Sequence, residues 1–192
     1  MQLSTGHKQL PSVVHLNLNG CGLLPFTIEP LFHSNSSASL VFLDLSNNYL
    51  INSSIYPWLS KFSTTLVHLD LSSNDLNGSI LVAFGNMISL AYLDLRYGAF
   101  EGKIPFPFGV MRALEYLDIS GHELHGEIPD TFRNMTSLTY LALFSNQLQG
   151  GILDAIGDLA SLHILNSLAI NLKLFPRHSV EALFMLISPS IN

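Results

Sequence analysis

LVHLDLSSNDLNGSI, at residues 66–80, is one of four close copies of a single phrase. The others are LAYLDLRYGAFEGKIP (90–105), LEYLDISGHELHGEIP (114–129) and LTYLALFSNQLQGGI (138–152). Their first leucines are 24 residues apart, and Leu162 continues the interval. A fixed period of this length predicts a solenoid, in which one small unit is stacked many times. Because a solenoid presents a long surface rather than a deep pocket, the pattern favours a binding module over an enzyme.

Two looser copies come earlier in the chain, VVHLNLNGCGL and LVFLDLSNNYL, with spacings of 27 and 26 residues to the next copy. A seventh copy is degenerate, because Ser167 stands where the second strand leucine belongs and Ile170 takes the ninth position. We therefore predict repeats over residues 13–165, an N-terminal segment at 1–12 and an apolar non-repeat tail at 166–192. Units one to seven begin at Val13, Leu40, Leu66, Leu90, Leu114, Leu138 and Leu162.

Leucines alternate with polar residues at the start of each unit, which is the period of a short β-strand. Stacked units would form a parallel sheet with strands about 4.8 Å apart. The alternation predicts two buried columns, at the fourth and sixth positions of the units. Two further apolar columns predict a core beneath the convex side: Phe84, Phe108, Phe132 and Ile156, then Met87, Met111, Met135 and Leu159.

The ninth position holds an asparagine in units two, three and six, at Asn48, Asn74 and Asn146. An amide there can satisfy the backbone groups of a tight turn in its own unit and the next one. Units four and five have Gly98 and His122 instead. We expect those two turns to be looser, or satisfied by water.

The skeleton LxxLxLxxNxL followed by xGxI, often with proline, resembles the leucine-rich repeat. The LxGxIP continuation is similar to the plant-specific class found in receptor-like kinases and receptor-like proteins. The resemblance covers residues 13–165 and implies an α/β repeat solenoid, a right-handed superhelix with a parallel concave sheet. It implies short turns, 3₁₀ or helical segments on the convex side.

By the same resemblance, the chain is expected to be part of a receptor ectodomain on the extracellular side of the plasma membrane. Such ectodomains bind a peptide, a microbial molecule or a co-receptor in defence or developmental signalling. Two alternatives stay open: a soluble apoplastic inhibitor of a microbial wall-degrading enzyme, and a non-functional truncated gene remnant. The chain shows no signal peptide, no paired-cysteine cap and no apolar run of the ~18 residues that cross a bilayer. We expect it to be truncated at both ends.

Composition narrows the classes of partner. The net charge of −6 provides no basic face, which argues against nucleic-acid binding. Four N-x-S/T sequons, at Asn35, Asn52, Asn77 and Asn134, favour a protein of the secretory pathway with N-linked glycans.

The concave face can be predicted position by position. The third position holds His15, Phe42, His68, Tyr92, Tyr116 and Tyr140, and the fifth holds Asn17, Asp44, Asp70, Asp94, Asp118 and Ala142. Carboxylates on neighbouring strands repel, so this column must be hydrated, hydrogen-bonded or matched by a partner. It can serve polar or basic groups of a ligand, or it can be no more than the family's usual strand sequence.

Departures from the repeat are the stronger candidates for recognition. Units four and six carry Arg96, Tyr97 and Phe144 where most units have serine, asparagine or glycine. Exposed arginine and aromatic side chains on a rigid sheet are typical of binding hot spots. The candidate ligand-binding set is therefore Tyr92, Asp94, Arg96, Tyr97, Tyr116, Asp118, Tyr140 and Phe144.

No catalytic, metal or cofactor site is predicted. His122, Glu123 and His125 lie close together, but in a turn and not on the helix that an H-E-x-x-H zinc site needs. Asp94 and Asp118 could imitate an acid–base dyad, yet a sheet open to water would not separate their pKa values. The sequence contains no nucleophile elbow, phosphate loop or kinase motif.

Overall fold

The computed structural model describes residues 13–24, 39–80, 84, 86–151, 156–167 and 171–172. In chain order its elements are β1 (His15–Asn17), β2 (Phe42–Asp44), α1 (Asn52–Leu59), β3 (His68–Asp70), β4 (Asn77–Ser79), β5 (Tyr92–Asp94), β6 (Ala99–Gly102), β7 (Tyr116–Asp118), β8 (Glu123–Glu127), β9 (Tyr140–Ala142), β10 (Gln147–Gly150), β11 (Ile164–Asn166) and β12 (Asn171–Leu172). Short 3₁₀ segments lie at Ser60–Phe62, Phe106–Val110 and Asp130–Asn134.

A seven-stranded parallel sheet, ordered β1-β2-β3-β5-β7-β9-β11, takes one strand from every unit. Its register pairs like positions, so that Leu69 lies beside Leu93 and Asp94 beside Asp118. The predicted fourth and sixth columns are buried from unit two through unit six, while Leu16 and Leu18 of unit one are half-buried. This confirms the predicted solenoid with its parallel sheet.

A second parallel sheet, ordered β12-β10-β8-β6-β4, was not predicted. It is built from the segment after the ninth position, where an apolar residue is flanked by exposed ones. The apolar residues, Leu76, Phe100, Leu124 and Leu148, are almost fully buried. The sequence shows only one alternation per unit there, followed by a glycine, which is typical of a turn. The structure has these glycines at positive φ.

The predicted convex core columns are buried, from Phe84 through Ile156 and from Met87 through Leu159. In units four and five, Phe108 and Phe132 lie in the 3₁₀ segments at Phe106–Val110 and Asp130–Asn134, and Met111 and Met135 directly follow these segments. In unit two, α1 follows the concave strand and buries Ile55, Trp58 and Leu59. A continuous apolar core, rich in leucine, therefore lies beneath both sheets.

Unit seven joins both sheets despite its degenerate sequence. Strand β11 pairs with β9, and β12 pairs with β10. Strand β12 lies within the segment predicted as non-repeat tail, so pairing extends past residue 165. The N-terminal segment 1–12, Asn35 and residues 173–192 lie outside the described residues. Among the described helices, none is long and apolar enough to cross a bilayer.

Candidate functional site

Six aromatic rings stack along the concave face. They occupy the third position of consecutive units: His15, Phe42, His68, Tyr92, Tyr116 and Tyr140. Their centroids are 5.2, 4.1, 4.0, 4.2 and 4.3 Å apart in that order, and neighbouring planes differ by 6 to 13°. We call this row the aromatic ladder. Its spacing follows from the parallel register, which places like positions about 4.8 Å apart.

The aromatic ladder presents edges and not faces. Each inner ring is covered on both sides by its neighbours, so a ligand meets ring edges and tyrosine hydroxyls. Burial raises the pKa of Tyr92 to about 12, with the negative charges of Asp94 and Asp70 contributing. Burial, and then Asp94, also raise the pKa of Tyr116. The hydroxyls therefore stay protonated and can donate hydrogen bonds at neutral pH.

The aspartates of the fifth position first serve the fold. In four consecutive units the inner carboxylate oxygen Oδ1 accepts the backbone N–H of the residue two positions later, and three of these residues are serines whose hydroxyl also donates to it. The pairs are Asp44 with Ser46, Asp70 with Ser72, Asp94 with Arg96 and Asp118 with Ser120. The structural role accounts for Oδ1 and leaves the outer oxygen Oδ2 for other partners.

Asp94 and Asp118 are buried, contrary to the expectation of a sheet open to water. Their exposed fractions are 0% and 1%. Burial raises the pKa of Asp94 to about 7, although the hydrogen bond from the backbone N–H of Arg96 lowers it. Burial also raises the pKa of Asp118, against its two hydrogen bonds from Ser120. The prediction was wrong because the stacked rings on the neighbouring position, together with Arg96, restrict access of water to the column.

Arg96 lies over the two buried carboxylates. Its Nε is 3.4 Å from Asp94 Oδ2, and its terminal nitrogen is 4.0 Å from Asp118 Oδ2. The side chain keeps 42% of its surface exposed. Tyr92 adds a long hydroxyl contact of 3.4 Å to Asp94 Oδ2. One guanidinium thus serves both aspartates while remaining accessible from the concave side.

Tyr97 has a backbone conformation that rarely suits a tyrosine. Its φ is +58°, and Asn47, Ser73 and Ser145 share this left-handed conformation at the same position of their units. Asparagine and glycine adopt it more easily than a bulky residue. The ring lies over Gly121, where an added Cβ would be 2.7 Å from Tyr97 Cδ1.

Tyr97 is 54% exposed, whereas Phe144, two units further on, is half-buried. The structure therefore places the eight candidate residues on the concave sheet and its C-terminal rim. It also extends the candidate surface beyond them, since His15, Phe42 and His68 continue the aromatic ladder in units one to three.

His122 is a buried substitute for asparagine, and its turn is not loose as expected. Asn74 Nδ2 donates to three backbone oxygens, including Leu45 O of the preceding unit, and its Oδ1 accepts the N–H of Leu50. In the same way His122 Nε2 lies 2.8 Å from Leu95 O, and Nδ1 lies 3.4 Å from the N–H of Phe100. Burial lowers the pKa of His122 to about 4, so the imidazole is neutral at neutral pH.

Gly98 makes room for the larger ring of His122. A Cβ at Gly98 would lie 3.0 Å from Leu76 O and 3.1 Å from His122 Cε1. Phe100, which replaces the usual leucine at the eleventh position, packs against the imidazole with ring centroids 5.0 Å apart. The two departures in units four and five are therefore one coupled change.

The His122, Glu123 and His125 group does not form a ligand cluster. Glu123–Glu127 is strand β8 and not a turn, and His122 bonds to backbone groups on the buried side. Within the described part of the chain, no group of three or more histidine, cysteine or acidic side chains could hold a metal ion. On the second sheet, a shallow recess of about 400 Å³ is lined by residues such as Glu101 and His125.

Two sequons lie in the described part away from the concave face. Asn77 is exposed at the start of β4, and Asn134 is exposed at the end of a 3₁₀ segment. Asn52 begins α1, and its side chain lies outside the described residues, as does Asn35. Glycans on Asn77 and Asn134 would leave the aromatic ladder open.

Family models and relatives agree with this architecture. Two leucine-rich-repeat models match residues 62–85 and 134–157, and residues 39–62 and 113–135. Receptor-like protein EIX2 of Solanum lycopersicum is 39% identical over 83 residues, which is 43% of this chain and 8% of that protein. The chain therefore spans a small part of this relative.

Solved structures show the same fold in different roles. The GASSHO1/SCHENGEN3 receptor-kinase ectodomain of Arabidopsis thaliana, in complex with CASPARIAN STRIP INTEGRITY FACTOR 2, is 33% identical with a TM-score of 0.66, covering 70% of this chain and 16% of that one. A plant ice-binding protein is 27% identical with a TM-score of 0.71, covering 85% and 51%. The fold by itself therefore does not select one activity.

Proposed function

We propose that this chain, a leucine-rich-repeat protein of the plant receptor-like class, is a non-catalytic recognition module that binds a peptide or protein ligand on its concave sheet. It acts as part of an extracellular, membrane-associated receptor in defence or development, where a co-receptor can join the complex. The observation that carries the proposal is the aromatic ladder, continued at its rim by Arg96, Tyr97 and Phe144. Two similar solved structures are plant receptors in complex with a ligand: the peptide hormone receptor RGFR1 with RGF2, and GASSHO1/SCHENGEN3 with CASPARIAN STRIP INTEGRITY FACTOR 2.

Preorganisation supports recognition by this face. The ladder rings are held in place by stacking, and the sheet below them is fixed by hydrogen-bonded strands. A ligand therefore orders few side chains on binding, which reduces the entropy cost of association. Rings with hydroxyl or imidazole edges provide apolar area and hydrogen-bonding groups together, as in other aromatic-rich binding surfaces.

Tyr97 supports the proposal through its backbone. A non-glycine residue held at positive φ costs on the order of 1 kcal/mol, and such residues concentrate at functional sites. Asparagine would relieve that cost and stands at the same position in unit two, at Asn47. An exposed tyrosine retained against this cost, beside an exposed arginine, fits a hot spot.

The test is a selection of random linear peptides on the full chain, followed by affinity measurements of the selected peptides. The test variant replaces Arg96, Tyr97 and Phe144 together with alanine. The control variant replaces Phe106 and Val110, two exposed apolar residues of the convex side, with alanine. Circular dichroism and thermal melting must first show that both variants remain folded.

We expect the concave variant to lose at least about ten-fold in affinity, equivalent to about 1.4 kcal/mol, and the control to bind as the original chain does. Equal binding by all three proteins would refute recognition by this face. In a separate assay, inhibition of a microbial wall-degrading enzyme by the full chain would instead support the apoplastic-inhibitor alternative.

A further inference from the structure

The aspartate column of the concave sheet has more negative charge than its own cations match. Asp44, Asp70, Asp94 and Asp118 lie on four neighbouring strands, β2, β3, β5 and β7. In the described part of the chain, Arg96 is the guanidinium that reaches this column. His68, the nearest imidazole of the aromatic ladder, does not add a full charge, since burial lowers its pKa despite Asp70 and Asp44.

The outer carboxylate oxygens of the column differ in their hydrogen-bond and ion-pair partners. Asp44 Oδ2 accepts a hydrogen bond of 3.0 Å from Asn17, while Asp94 and Asp118 share Arg96. Among the described residues, Asp70 Oδ2 takes part in no hydrogen bond or ion pair, although its Oδ1 accepts two bonds from Ser72. Asp70 is half-buried in the middle of the column. Its outer oxygen is therefore open to a donor from outside.

We propose that the concave face from β2 to β7 docks a basic, extended polypeptide segment, with a lysine or arginine side chain bound to the outer carboxylate oxygen of Asp70. This rests on the proposed function and specifies the partner of the same surface. A cation supplied by the ligand would form an ion pair with Asp70, as Arg96 does with Asp94 and Asp118. Burial raises the pKa of Asp94, and the neighbouring charges of Asp70 and Asp118 raise it further.

The aromatic ladder separates this partner from a carbohydrate or a nucleic acid. Sugars and bases bind aromatic side chains through exposed ring faces, and the faces here are closed by stacking at 4.0 to 4.3 Å from Phe42 to Tyr140. Phosphates would be repelled by the aspartates. Ring edges and hydroxyls are suited to the carbonyl and amide groups of an extended backbone.

The rim fixes the spacing expected in the ligand. Asp70 lies in unit three and Phe144 in unit six, which are three strand spacings apart, or about 14 Å. An extended peptide covers about 3.3 Å per residue, so this separation corresponds to four or five residues. The ligand is therefore expected to carry a basic residue about four or five positions from an apolar residue that contacts Phe144.

The test uses peptides selected on the full chain and two matched variants. Asp70→Asn keeps an oxygen acceptor for Ser72 but removes the charge. Glu101→Gln removes one charge from an exposed residue of the second sheet, so it controls for the overall field of the protein. Each selected peptide is also synthesised with its lysines and arginines replaced by glutamine and citrulline, and all affinities are measured at low and moderate salt.

We expect basic residues to be enriched among the peptides, Asp70→Asn to weaken binding about ten-fold, and Glu101→Gln to change it less than about two-fold. Peptides that need Arg96, Tyr97 and Phe144 but show no basic enrichment would overturn this inference and leave the proposed function standing. The same conclusion follows if both charge variants weaken binding equally. Peptides indifferent to the concave triple variant would overturn both.

Discussion

Units three and six differ from units four and five at the ninth position, although all four have the same length and the same strands. In units three and six, Asn74 and Asn146 each donate to three backbone oxygens and accept one N–H from the preceding unit. In units four and five, Gly98 offers no side chain, and His122 makes the two bonds that reach back to the preceding unit.

This comparison shows that the repeat constrains a set of backbone groups and not a residue type. What matters is that a buried carbonyl and a buried N–H of the preceding unit find partners. An imidazole can provide both when it is neutral and when the neighbouring unit leaves space for it. In units four and five, a pair of residues in neighbouring units, His122 and Gly98, thus takes the place that one asparagine has elsewhere.

The largest effect should come from removing a regular asparagine. Asn74→Ala leaves Leu45 O, Leu71 O and the N–H of Leu50 without their side-chain partner in a buried place. We expect a loss of about 3 kcal/mol in the free energy of unfolding. Urea denaturation measures it, with the exposed Asp75→Asn as the matched control. A loss no larger than that of the control would contradict the role given to the asparagine.

His122 should make the stability of units four and five depend on pH. Its pKa is 6.5 when unfolded and about 4 when buried, so its contribution is complete above 6.5 and is lost as the pH falls towards 4. The linked loss between pH 7 and pH 5 is about 2 kcal/mol.

The measurement of this pH effect is the difference between the original chain and His122→Asn in urea midpoints across that range. The contribution of Asp94 to the free energy of unfolding is the same in both proteins, so it cancels in the difference. That contribution has the opposite pH dependence, because it is complete below the unfolded pKa of 3.8 and is lost as the pH rises through about 7. Parallel profiles for the two proteins would show that His122 is not buried as described.

The effect of Gly98→Asn on the free energy of unfolding should depend on whether His122 is present. In the original chain, Gly98→Asn places a Cβ 3.1 Å from the imidazole and should cost about 1–2 kcal/mol. In a His122→Asn background the imidazole contact is gone and the column of amides is complete, which should offset the remaining 3.0 Å approach of the Cβ to Leu76 O, so the same change should be neutral or stabilising. A double-mutant cycle by urea denaturation gives the coupling energy. Additive effects would mean that the two positions are independent.

The smallest effect is expected at the rim. Tyr97→Asn should stabilise the chain by about 0.5–1 kcal/mol, because asparagine tolerates positive φ better than tyrosine. Ser145→Asn, at the same position of unit six, serves as the control for the general benefit of asparagine there. Thermal melting of the three proteins is sufficient. A destabilised Tyr97→Asn would show that the tyrosine is retained for packing on Gly121 and not for recognition.

The concave sheet could be predicted because every unit contains the alternating sequence of its strand. The second sheet could not, because an alternation of a few residues around Leu124 or Leu148 does not differ locally from a turn. Burial of the aspartates could not be predicted either. It depends on ring stacking between units and on the direction in which Arg96 lies, and neither is encoded in any single copy of the repeat.

The sequence alone was sufficient to predict the solenoid, the strand positions, the buried leucine columns and the aromatic row of the concave face. It could do so because period and alternation follow directly from the geometry of a repeated chain. The tertiary structure alone decided how neighbouring units share their side chains: Arg96 over Asp94 and Asp118, His122 beside Gly98, and Asp70 with its outer oxygen open. These outcomes depend on distances between units, where burial changes the pKa of a carboxyl or an imidazole and the space left by one residue admits another.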